Sequence, residues 1–599
     1  MKSLIKLWTD MAEELAMWCR TSTIRDSQRV AERFEHEGLS FLTITLPSFG
    51  SDLQKSLDDG KVGHDHFAGF RRRGGLPLFL GGFLDRVFDR GTGCLLDDPC
   101  VDSIYAIRQL TLMFAKIAYP CSKEREKRAI DKYIECEKEV KSADRDLAPE
   151  LLKEFQRLST LMFGDVYSAV DRKVFDGELI PNHGPGKTAD RLTGNRKFDQ
   201  SEWPLRAEMH FPYGDYALPN WRFAYRLDRV TFLEPRDERP VKVVTVPKTL
   251  KTPRIIAIEP TCMQYMQQAL MAELVPELEN SDVSQMIGFT EQGPNQVLAR
   301  HGSTYGQLAT LDMSEASDRV SNQHVRALLR HWPHLSGAVD ASRSRKADVP
   351  GYGVQRLAKF ASMGSALCFP FEAMVFLTVI MVGIQREHRH QFTRKDLKSF
   401  SGQVRVYGDD LIVPVRYVPS VIQTLEDFGL RVNMDKSYWN GKFRESCGKD
   451  YYDGHDVTVT RVRRLFPTGR NDVLEIISLV SLRNQLYHAG LWKTVRTLDD
   501  MIGPLLGGHY PRVECTSPVL GRHSFLGFIA EKEHRHRQSP LVKGWTVKSI
   551  IPKSKISGEG ALLKCFLKRG DEPFADRKHL ERQGRPSAVD IKLRWASPF

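Results

Sequence analysis

A pair of adjacent aspartates between two short apolar segments is the feature that most constrains this chain. Residues 403–406 alternate polar and apolar side chains, a pattern that predicts a half-buried strand. The β-branched run at 411–415 predicts a second, more buried strand, and Gly408 suits a tight turn with positive φ between them. The sequence therefore predicts a hairpin with Asp409 and Asp410 at its tip, where paired carboxylates can bind divalent cations.

Three other Asp-Asp pairs occur in the chain, at 58–59, 97–98 and 499–500. None of them lies between two apolar strands, so we interpret them as solvated turns or helix caps. The pair at 409–410 is the one that the sequence marks as functional.

Composition and charge limit the class of protein. The chain has 599 residues, which predicts three or four packed units. Its net charge of +12 favours a polyanionic partner, although ribosomal and membrane-surface proteins share this property. The ten cysteines show no paired spacing and are typical of reduced thiols in a cytosolic chain. We predict no signal peptide, and the apolar run at 373–384 is short for a bilayer and predicts a buried helix.

Two further segments carry charges that suit phosphate chemistry. In the region 243–260, two β-branched strands flank a turn, and Lys248, Lys251 and Arg254 recur at every third position. Such a cationic hairpin can bind a triphosphate, and a solvated basic hairpin is the alternative. The apolar strand at 308–311 leads to Asp312, which can join a metal site built by a neighbouring strand.

Several other positions allow two interpretations. Asp318 is either a binding residue or the cap of the helix that follows it. Lys436 either donates a proton to a leaving group or is a surface lysine. The basic loop with Arg71 and Arg72 either contacts RNA or is solvated. The glycine-rich loop at 183–188 lacks the first glycine of a P-loop, because position 181 is proline, so we reject a nucleotide-hydrolase interpretation.

In this order, the segments resemble the motif series of viral RNA-dependent RNA polymerases. The hairpin at 247–259 is similar to the nucleotide-gating motif of the fingers, and Asp312 with Asp318 to the first palm motif. Residues 362–365 are similar to the second palm motif, and residues 407–410 are similar to the third.

The later motifs continue the resemblance. Lys436 stands where the fourth motif has its lysine, and residues 443–448, which include Arg444, resemble the fifth motif near the nascent strand. Residues 246–249, 256–260 and 443–448 are close to the replicase beta subunit of the small positive-strand RNA bacteriophages, the leviviruses.

The resemblance implies a right-hand polymerase of the α+β class, with fingers, palm and thumb and an antiparallel palm sheet. We predict helical fingers and an N-terminal region at 1–235, and a basic finger hairpin at 236–300. The palm with an inserted finger segment follows at 301–460, and a thumb with a basic C-terminal region at 461–599.

By resemblance, the activity is RNA-directed RNA synthesis that replicates a positive-strand RNA virus genome. Asp312, Asp409 and Asp410 would hold two Mg²⁺ ions, for which Mn²⁺ can substitute. The remaining residues that the resemblance assigns form two groups: Lys436 acts in catalysis, and NTP is bound by Lys248, Lys251, Arg254, Asp318, Gly364 and Ser365. RNA binding is assigned to Arg444, with Arg71 and Arg72 added from the basic loop. Better-known members carry an asparagine after the glycine of the second motif, where this chain has Ser365.

The implied ligands are template and product RNA and NTPs. The implied protein partners are the host elongation factors Tu and Ts and a ribosomal RNA-binding protein. The resemblance places the protein in the cytoplasm of an infected bacterium and implies no membrane partner. A reverse transcriptase would use nearly the same palm. A non-catalytic RNA-binding or packaging protein with a vestigial palm is the alternative from another class, and a metal-dependent phosphohydrolase is a third.

Overall fold

A computed structural model describes residues 2–568, 580–581 and 585–599 of the chain. The first part is mostly helical, with one short β-pair. Its elements are α1 (Lys2–Trp18), α2 (Ile24–Glu37), α3 (Leu46–Asp59), β1 (Arg72–Arg73), β2 (Leu76–Pro77), α4 (Gly81–Leu84), α5 (Val101–Leu112), α6 (Lys123–Asp146) and α7 (Pro149–Phe175).

The middle of the chain alternates strands and helices. It contains β3 (Glu202–Pro204), α8 (Tyr213–Tyr216), β4 (Thr231–Leu233), β5 (Val241–Val246), β6 (Arg254–Ile258), α9 (Thr261–Glu279), α10 (Gly293–Tyr305), β7 (Leu308–Ser314), α11 (Ala316–Arg319), α12 (Asn322–Leu328), α13 (Pro333–Ser342), β8 (Lys346–Val349), β9 (Gly353–Arg356) and α14 (Cys368–Arg386).

The remaining elements begin just before the aspartate hairpin. They are α15 (Arg394–Lys398), β10 (Arg405–Tyr407), β11 (Asp410–Pro414), α16 (Val418–Asp427), β12 (Arg431–Val432), β13 (Phe443–Ser446), β14 (Lys449–Tyr452), β15 (His455–Asp456), α17 (Val473–His488), α18 (Trp492–Leu505), β16 (Lys532–Glu533), β17 (Pro540–Ile550), α19 (Glu559–Leu567) and β18 (Ala588–Ala596).

Two four-stranded sheets organise the middle of the chain. The first has the order β10-β11-β7-β12, and all its neighbouring strands are antiparallel. The second has the order β6-β5-β8-β9, and β5 pairs with β8 in parallel. The hairpins predicted at 403–415 and 243–260 are therefore both present. The first strand is more buried than predicted, because Arg405 donates hydrogen bonds to Asn295 Oδ1 and to the carbonyls of Ser284 and Gln285.

The hydrophobic side chains form two large cores. One joins α7, α9, α12, α13, α14 and α16 to the buried face of the sheet that contains β7. The other joins side chains of residues 4–117 to side chains of residues 438–520, two segments that are far apart in the sequence. The predicted boundary at 235 therefore does not separate two packed units, because the segment at 155–218 belongs to the first core and the segment at 4–117 to the second.

The apolar helix predicted around 373–384 is α14. By length and composition it is the one helix in the described part of the chain that could cross a membrane, and 94% of its apolar window is buried within the protein. Its side chains contact α7 and α16, so it serves as a helix of the first core.

The C-terminal region is more regular than its basic, glycine-rich composition suggests. β17 pairs with β18 over nine residue pairs, from Val542 with Ala596 to Ile550 with Ala588. The part of the predicted basic tail at 569–579 and 582–584 lies outside the described residues.

Two charged residues for which the sequence predicts a solvated or RNA-binding position are buried instead. The first is Asp58, whose Oδ1 accepts hydrogen bonds from the backbone N–H groups of Trp439, Asn440 and Gly441, at 3.0, 3.0 and 3.1 Å. The interpretation of Asp58 as a solvated residue is wrong, because Asp58 is buried and its carboxylate holds the loop at 439–441 in place.

The prediction that Arg444 binds RNA is also wrong. Its side chain is 0% exposed and donates to the carbonyls of Leu308, Gly441, Phe443 and Trp439. Because the guanidinium donates to four backbone carbonyls and is closed off from solvent, it fixes β13 against β7 and cannot be reached by a phosphate.

Candidate active site

The aspartate hairpin has the tight turn that the sequence predicts. Tyr407 pairs with Asp410, which leaves Gly408 and Asp409 as a two-residue connection. Gly408 has φ +58°, and a Cβ atom there would lie 2.5 Å from Phe369 Cε2. Only glycine meets both conditions at low cost, so Gly408 places Asp409 at the exposed tip.

The strand register brings the third carboxylate to the same place. Asp312 on β7 is the direct cross-strand partner of Asp410 on β11. Side chains of such a pair lie on the same face of the sheet, with Cβ atoms roughly 4.5–5.5 Å apart. The structure therefore brings Asp312, Asp409 and Asp410 together, as the sequence predicts.

Neighbouring loops orient two of the three acids. Asn433 Nδ2 donates to Asp312 Oδ2 at 2.8 Å, and Lys436 Nζ lies 3.7 Å from the same oxygen. The backbone N–H of Cys447 donates to Asp410 Oδ2 at 3.1 Å. The motifs around Lys436 and Cys447 thus contact the acids directly, whereas Asp409 stays exposed at the turn.

The acids carry negative charge that the protein does not fully compensate. Burial and then the neighbouring Asp409 carboxylate raise the pKa of Asp410 to about 6. Burial also raises the pKa of Asp312, and Asp409 adds to this effect while Lys436 opposes it. A bound cation would relieve this repulsion, because it favours the charged form of both carboxyls.

The described residues contain no ready-made cage of three or more His, Cys, Asp or Glu side chains for a metal ion. Mg²⁺ commonly uses one or two carboxylates and takes water and substrate phosphates as its other ligands. Three acids on one sheet edge, with one of them exposed, fit a site of this type that the substrate completes.

The basic hairpin between β5 and β6 faces the acids through Lys248. Burial lowers the pKa of Lys248, the positive charges of Arg254 and Lys436 lower it further, and Asp409 and Asp312 act in the opposite direction. Arg254 and Lys251 are exposed. The turn is held from α6, since Arg125 Nη1 donates to the carbonyl of Leu250 at 2.7 Å. The structure thus brings Lys248 close to the acids, with Arg254 beside Lys248, and shows no contact of Arg254 or Lys251 with the acids.

Lys436 is a charged group within this cluster. Although burial alone lowers its pKa, the carboxylates of Asp312, Glu445, Asp409 and Asp410 raise it above its ordinary value. Its side chain is 57% exposed. A lysine that is protonated and reachable from solvent beside these acids can donate a proton to a substrate oxygen.

Asp318 does not cap a helix. The cap of α12 is Ser321, whose side chain accepts from the backbone N–H of Gln323 and which forms a capping box with His324. The carboxylate of Asp318 instead accepts from Ser362 Oγ at 2.8 Å and lies 3.2 Å from Lys359 Nζ. The alternative of a simple helix cap is therefore wrong.

Lys359 is the centre of a buried network around Asp318. It is 0% exposed and lies 3.6 Å from Glu137 Oε2 and 3.7 Å from the ring centre of Tyr133. Tyr133 in turn forms a 3.0 Å hydrogen bond with Ser362 Oγ. Although burial lowers the pKa of Lys359, Asp318 and Tyr133 raise it above its ordinary value, so the lysine stays charged and anchors Asp318.

The two serines of the second predicted palm motif have different hydrogen-bond partners. Ser362 contacts Asp318, whereas Ser365 Oγ donates to Gln267 Oε1 at 3.0 Å. Gly364 has φ +139°, and a Cβ atom there would lie 1.9 Å from the carbonyl oxygen of Ala257. Gly364 therefore allows the loop to pack against β6, and the hydroxyl of Ser365 is directed to Gln267 and not to Asp318.

Of the two arginines in the basic loop near the N-terminus, one is held by backbone carbonyls and the other is exposed. Arg72 donates to the carbonyls of Gly63, at 3.0 Å, and His66. Arg71 is exposed. Neither residue contacts the acid cluster in the described structure, so an RNA contact by Arg71 stays a prediction.

Sequence reasoning missed Asn433, Lys359, Glu137 and Tyr133. Charges of alternating sign at 124–128 are typical of an exposed helix, yet Tyr133, Cys136, Glu137 and Val140 are buried on α6. Their spacing of three, four and seven residues from Tyr133 is the pattern of a buried helical stripe. That spacing was the available signal, and the charged residues between these positions concealed it.

Comparison with known proteins identifies relatives of the middle of the chain. Residues 234–500 match the family described as RNA replicase, beta-chain. The chain is 30% identical over 302 residues to the RNA-directed RNA polymerase beta chain of Enterobacteria phage fr. This alignment covers 50% of this chain and 49% of the relative. It is 35% identical over 223 residues to the RNA-directed RNA polymerase subunit beta of Enterobacteria phage SP, covering 37% and 36%. The matched part thus spans half or less of these relatives.

Solved structures overlap only in part. The RNA-dependent RNA polymerase of a human picorbirnavirus shares 12% sequence identity with a TM-score of 0.33, covering 44% of this chain and 55% of that one. The RNA-dependent RNA polymerase of BmCPV at its elongation state shares 11% with a TM-score of 0.36, covering 58% and 33%. The similarity of this chain to replicase beta chains therefore rests on the sequence matches within its middle part.

Proposed function

Because residues 234–500 match the family described as RNA replicase, beta-chain, we propose that the chain is an RNA-directed RNA polymerase that replicates a positive-strand RNA genome. The observation that carries this proposal is the register of β7 and β11, which puts Asp312 opposite Asp410 beside the exposed Asp409. The family match and the strand register are independent observations on the same part of the chain.

In this proposal the chain has the right-hand arrangement of a polymerase. The sheet β10-β11-β7-β12 is the palm, and the sheet β6-β5-β8-β9 with α6 belongs to the fingers. Helices α17 and α18, which share the second core with α1, form the thumb.

The reaction is nucleotidyl transfer. The 3′-hydroxyl of the RNA product loses its proton to solvent and its oxygen attacks the α-phosphorus of an incoming NTP. A phosphodiester bond forms, the bond from the α-phosphorus to the bridging oxygen breaks, and pyrophosphate leaves. Two Mg²⁺ ions bound by Asp312, Asp409 and Asp410, or Mn²⁺ in their place, would stabilise the attacking and leaving oxygens. Lys436 then gives its proton to the leaving pyrophosphate, a contribution of roughly 10²–10⁴-fold where general acids operate.

Substrate binding falls to the groups around the acids. Lys248, which faces the acid cluster, and the neighbouring Arg254 would neutralise the triphosphate. Lys251, on the exposed turn of the same hairpin, would add a further positive charge. Asp318, held by Lys359 and Ser362, would accept a hydrogen bond from the ribose of the NTP, with Gly364 and Ser365 shaping that side of the site. Catalysis is then mainly positioning and charge neutralisation, as in other phosphoryl transfers.

The partners follow from the family. Template and product RNA and NTPs are the proposed ligands, in the cytoplasm of a bacterial host, since the relatives come from bacteriophages. The host elongation factors Tu and Ts and a ribosomal RNA-binding protein are further proposed partners.

An RNA-templated incorporation assay tests the proposal. The purified chain is given template RNA, Mg²⁺ and labelled NTPs or dNTPs, with and without bacterial extract. We expect incorporation of NTPs, and a requirement for extract would support the host partners. Preferential use of dNTPs would instead indicate a reverse transcriptase, and RNA binding without any incorporation would indicate a non-catalytic RNA-binding protein.

A further inference from the structure

A cavity of about 290 Å³ lies outside the acid site, between α6, the start of α12, the connection from α13 to β8, and the end of β9. Ala358 lines this cavity, whereas the next residue, Lys359, points to Asp318. The segment at 357–360 therefore separates the cavity from the proposed ribose contact.

The lining of this cavity is strongly cationic. Five positively charged side chains face two carboxylates, an excess of three positive charges; they are Lys141, Arg326, Arg343, Arg345 and Arg356 against Asp144 and Asp340.

The two carboxylates are engaged by neighbouring groups. Asp340 pairs with both Arg345 and Arg326. Asp144 Oδ2 accepts a hydrogen bond from Ser321 Oγ at 2.7 Å. The other three cations of the cavity are thus left without a carboxylate partner among the described residues.

Arg343 forms the inner wall. It is 6% exposed. Its Nε donates to the carbonyl of Phe360 at 2.8 Å, and its Nη2 donates to those of Leu357 and Lys359 at 3.0 and 2.6 Å. Its Nη1 donates to no residue in the described part of the chain, although the side chain lines the cavity. A nearly buried guanidinium that keeps one donor free toward a cavity can donate to an anion bound there.

Lys141 and Arg356 stand at the rim. Both side chains are exposed, and neither forms an ion pair with a described residue. Lys141 Nζ donates to the backbone carbonyl oxygen of Arg356 at 3.5 Å, so the Lys141 ammonium lies beside the end of β9. Two exposed cations that line the same cavity both attract an anion that enters it.

We propose that this cavity binds a phosphate group, carried either by a free nucleotide or by the backbone of RNA. Arginine and lysine together suit phosphate, because the planar fork of arginine gives paired donors and lysine adds a compact charge. The volume is near the lower end of ligand pockets, which suits one phosphate with part of its sugar and excludes a protein segment. The site is separate from the proposed metal site and does not depend on polymerase activity.

The test reverses the charge at the rim. The variant K141E/R356E is compared with the variant K6E/R389E, which changes the net charge equally at two exposed positions away from the cavity. Thermal unfolding of both establishes that they are folded. Each is then titrated with a fluorescent single-stranded oligoribonucleotide over a range of salt concentrations, and with labelled ATP in buffer without divalent metal.

The two arms identify the source of the phosphate. If RNA occupies the cavity, the salt slope of RNA binding falls in the K141E/R356E variant by about 0.7, the value expected when one phosphate of a single strand is no longer bound. If a free nucleotide occupies it, the slope is unchanged and affinity for ATP falls about tenfold or more, as expected when a charge-assisted hydrogen bond is removed. RNA slopes and ATP affinities that match those of K6E/R389E would overturn the proposal, whether or not the chain synthesises RNA.

Discussion

At the scale of single residues, the site is governed by how each charge is compensated. Lys359 is buried and fully engaged by Asp318, Glu137 and Tyr133. Lys436 is half exposed and has only a 3.7 Å contact with Asp312. The first arrangement fixes a side chain in place, and the second leaves a proton available to a substrate. Two residues of the same type therefore have different expected effects when they are removed.

Replacing Lys436 by alanine should lower kcat for incorporation by about 10²–10⁴-fold and leave RNA binding unchanged, because the general acid is removed. The raised pKa of Lys436 keeps it protonated at neutral pH, so the wild-type rate should not fall until the pH exceeds the ordinary range of a lysine. Lys442→Ala is the matched control, since Lys442 is exposed and pairs with Asp453. Equal kcat values for the two variants would remove the proton-donor role.

Replacing Lys359 by methionine should destabilise the fold by about 3–5 kcal/mol, because the buried Glu137 and the partly buried Asp318 then lose their cation. Among molecules that remain folded, the ratio of kcat/KM for NTPs to that for dNTPs should fall, since Asp318 loses its anchor. Lys132→Met breaks the more exposed pair with Glu315 and should cost about 0–1 kcal/mol. Urea unfolding and the discrimination ratio are the measurements, and an unchanged ratio would contradict the role of Asp318 in ribose contact.

At the scale of elements, the sequence predicts the two hairpins and the strand that carries Asp312. In each case a local pattern is sufficient: alternation or a β-branched run, and a residue suited to the turn. Prediction fails where a side chain acts over a long sequence distance. Asp58 accepts from residues 439–441, and Arg444 donates to Leu308. No local pattern marks such partners, because an acid or arginine has the same sequence context on the surface and in the core.

The loop before α14 offers a sharp test at this scale. Gly364→Ala should destabilise the protein by more than about 1–3 kcal/mol, since a Cβ atom would lie 1.9 Å from the carbonyl oxygen of Ala257 at a φ of +139°. Gly186→Ala is the control, because no atom lies within 4 Å of the position that its Cβ would take, and its effect should stay within about 0.5 kcal/mol. Equal denaturation midpoints would show that the loop does not pack against β6 as described.

At the scale of the whole molecule, the segment 234–500 that matches the replicase family is not a separate packed unit. Its helices α17 and α18 contribute to a core that also contains α1, α3 and α5. Glu14 on α1 accepts from the backbone N–H groups of Lys493 and Thr494, at 2.8 and 2.7 Å. Sequence patterns located the chemical motifs but not this pairing of distant helices, because helices in both places show ordinary apolar faces.

A fragment of residues 234–500 should therefore fail to fold cooperatively, since the apolar faces of α17 and α18 would lose their partners from 4–117. We expect non-cooperative thermal unfolding and binding of a hydrophobic dye, whereas the full chain should unfold cooperatively. A fragment with a sharp transition and no dye binding would show that the second core is dispensable.

The central claim is that Asp312, Asp409 and Asp410 form one metal-dependent site of RNA synthesis. The most direct measurement is RNA-templated NTP incorporation as a function of Mg²⁺ concentration, in the wild type and in the three single Asp→Asn variants. Asp435→Asn is the control, because Asp435 is an exposed acid on the neighbouring turn. We expect each of the three variants to lose about 10²-fold or more in rate while binding RNA as the wild type does, and the control to retain its rate. Wild-type rates and Mg²⁺ dependence in the Asp312 or Asp409 variant would contradict the account.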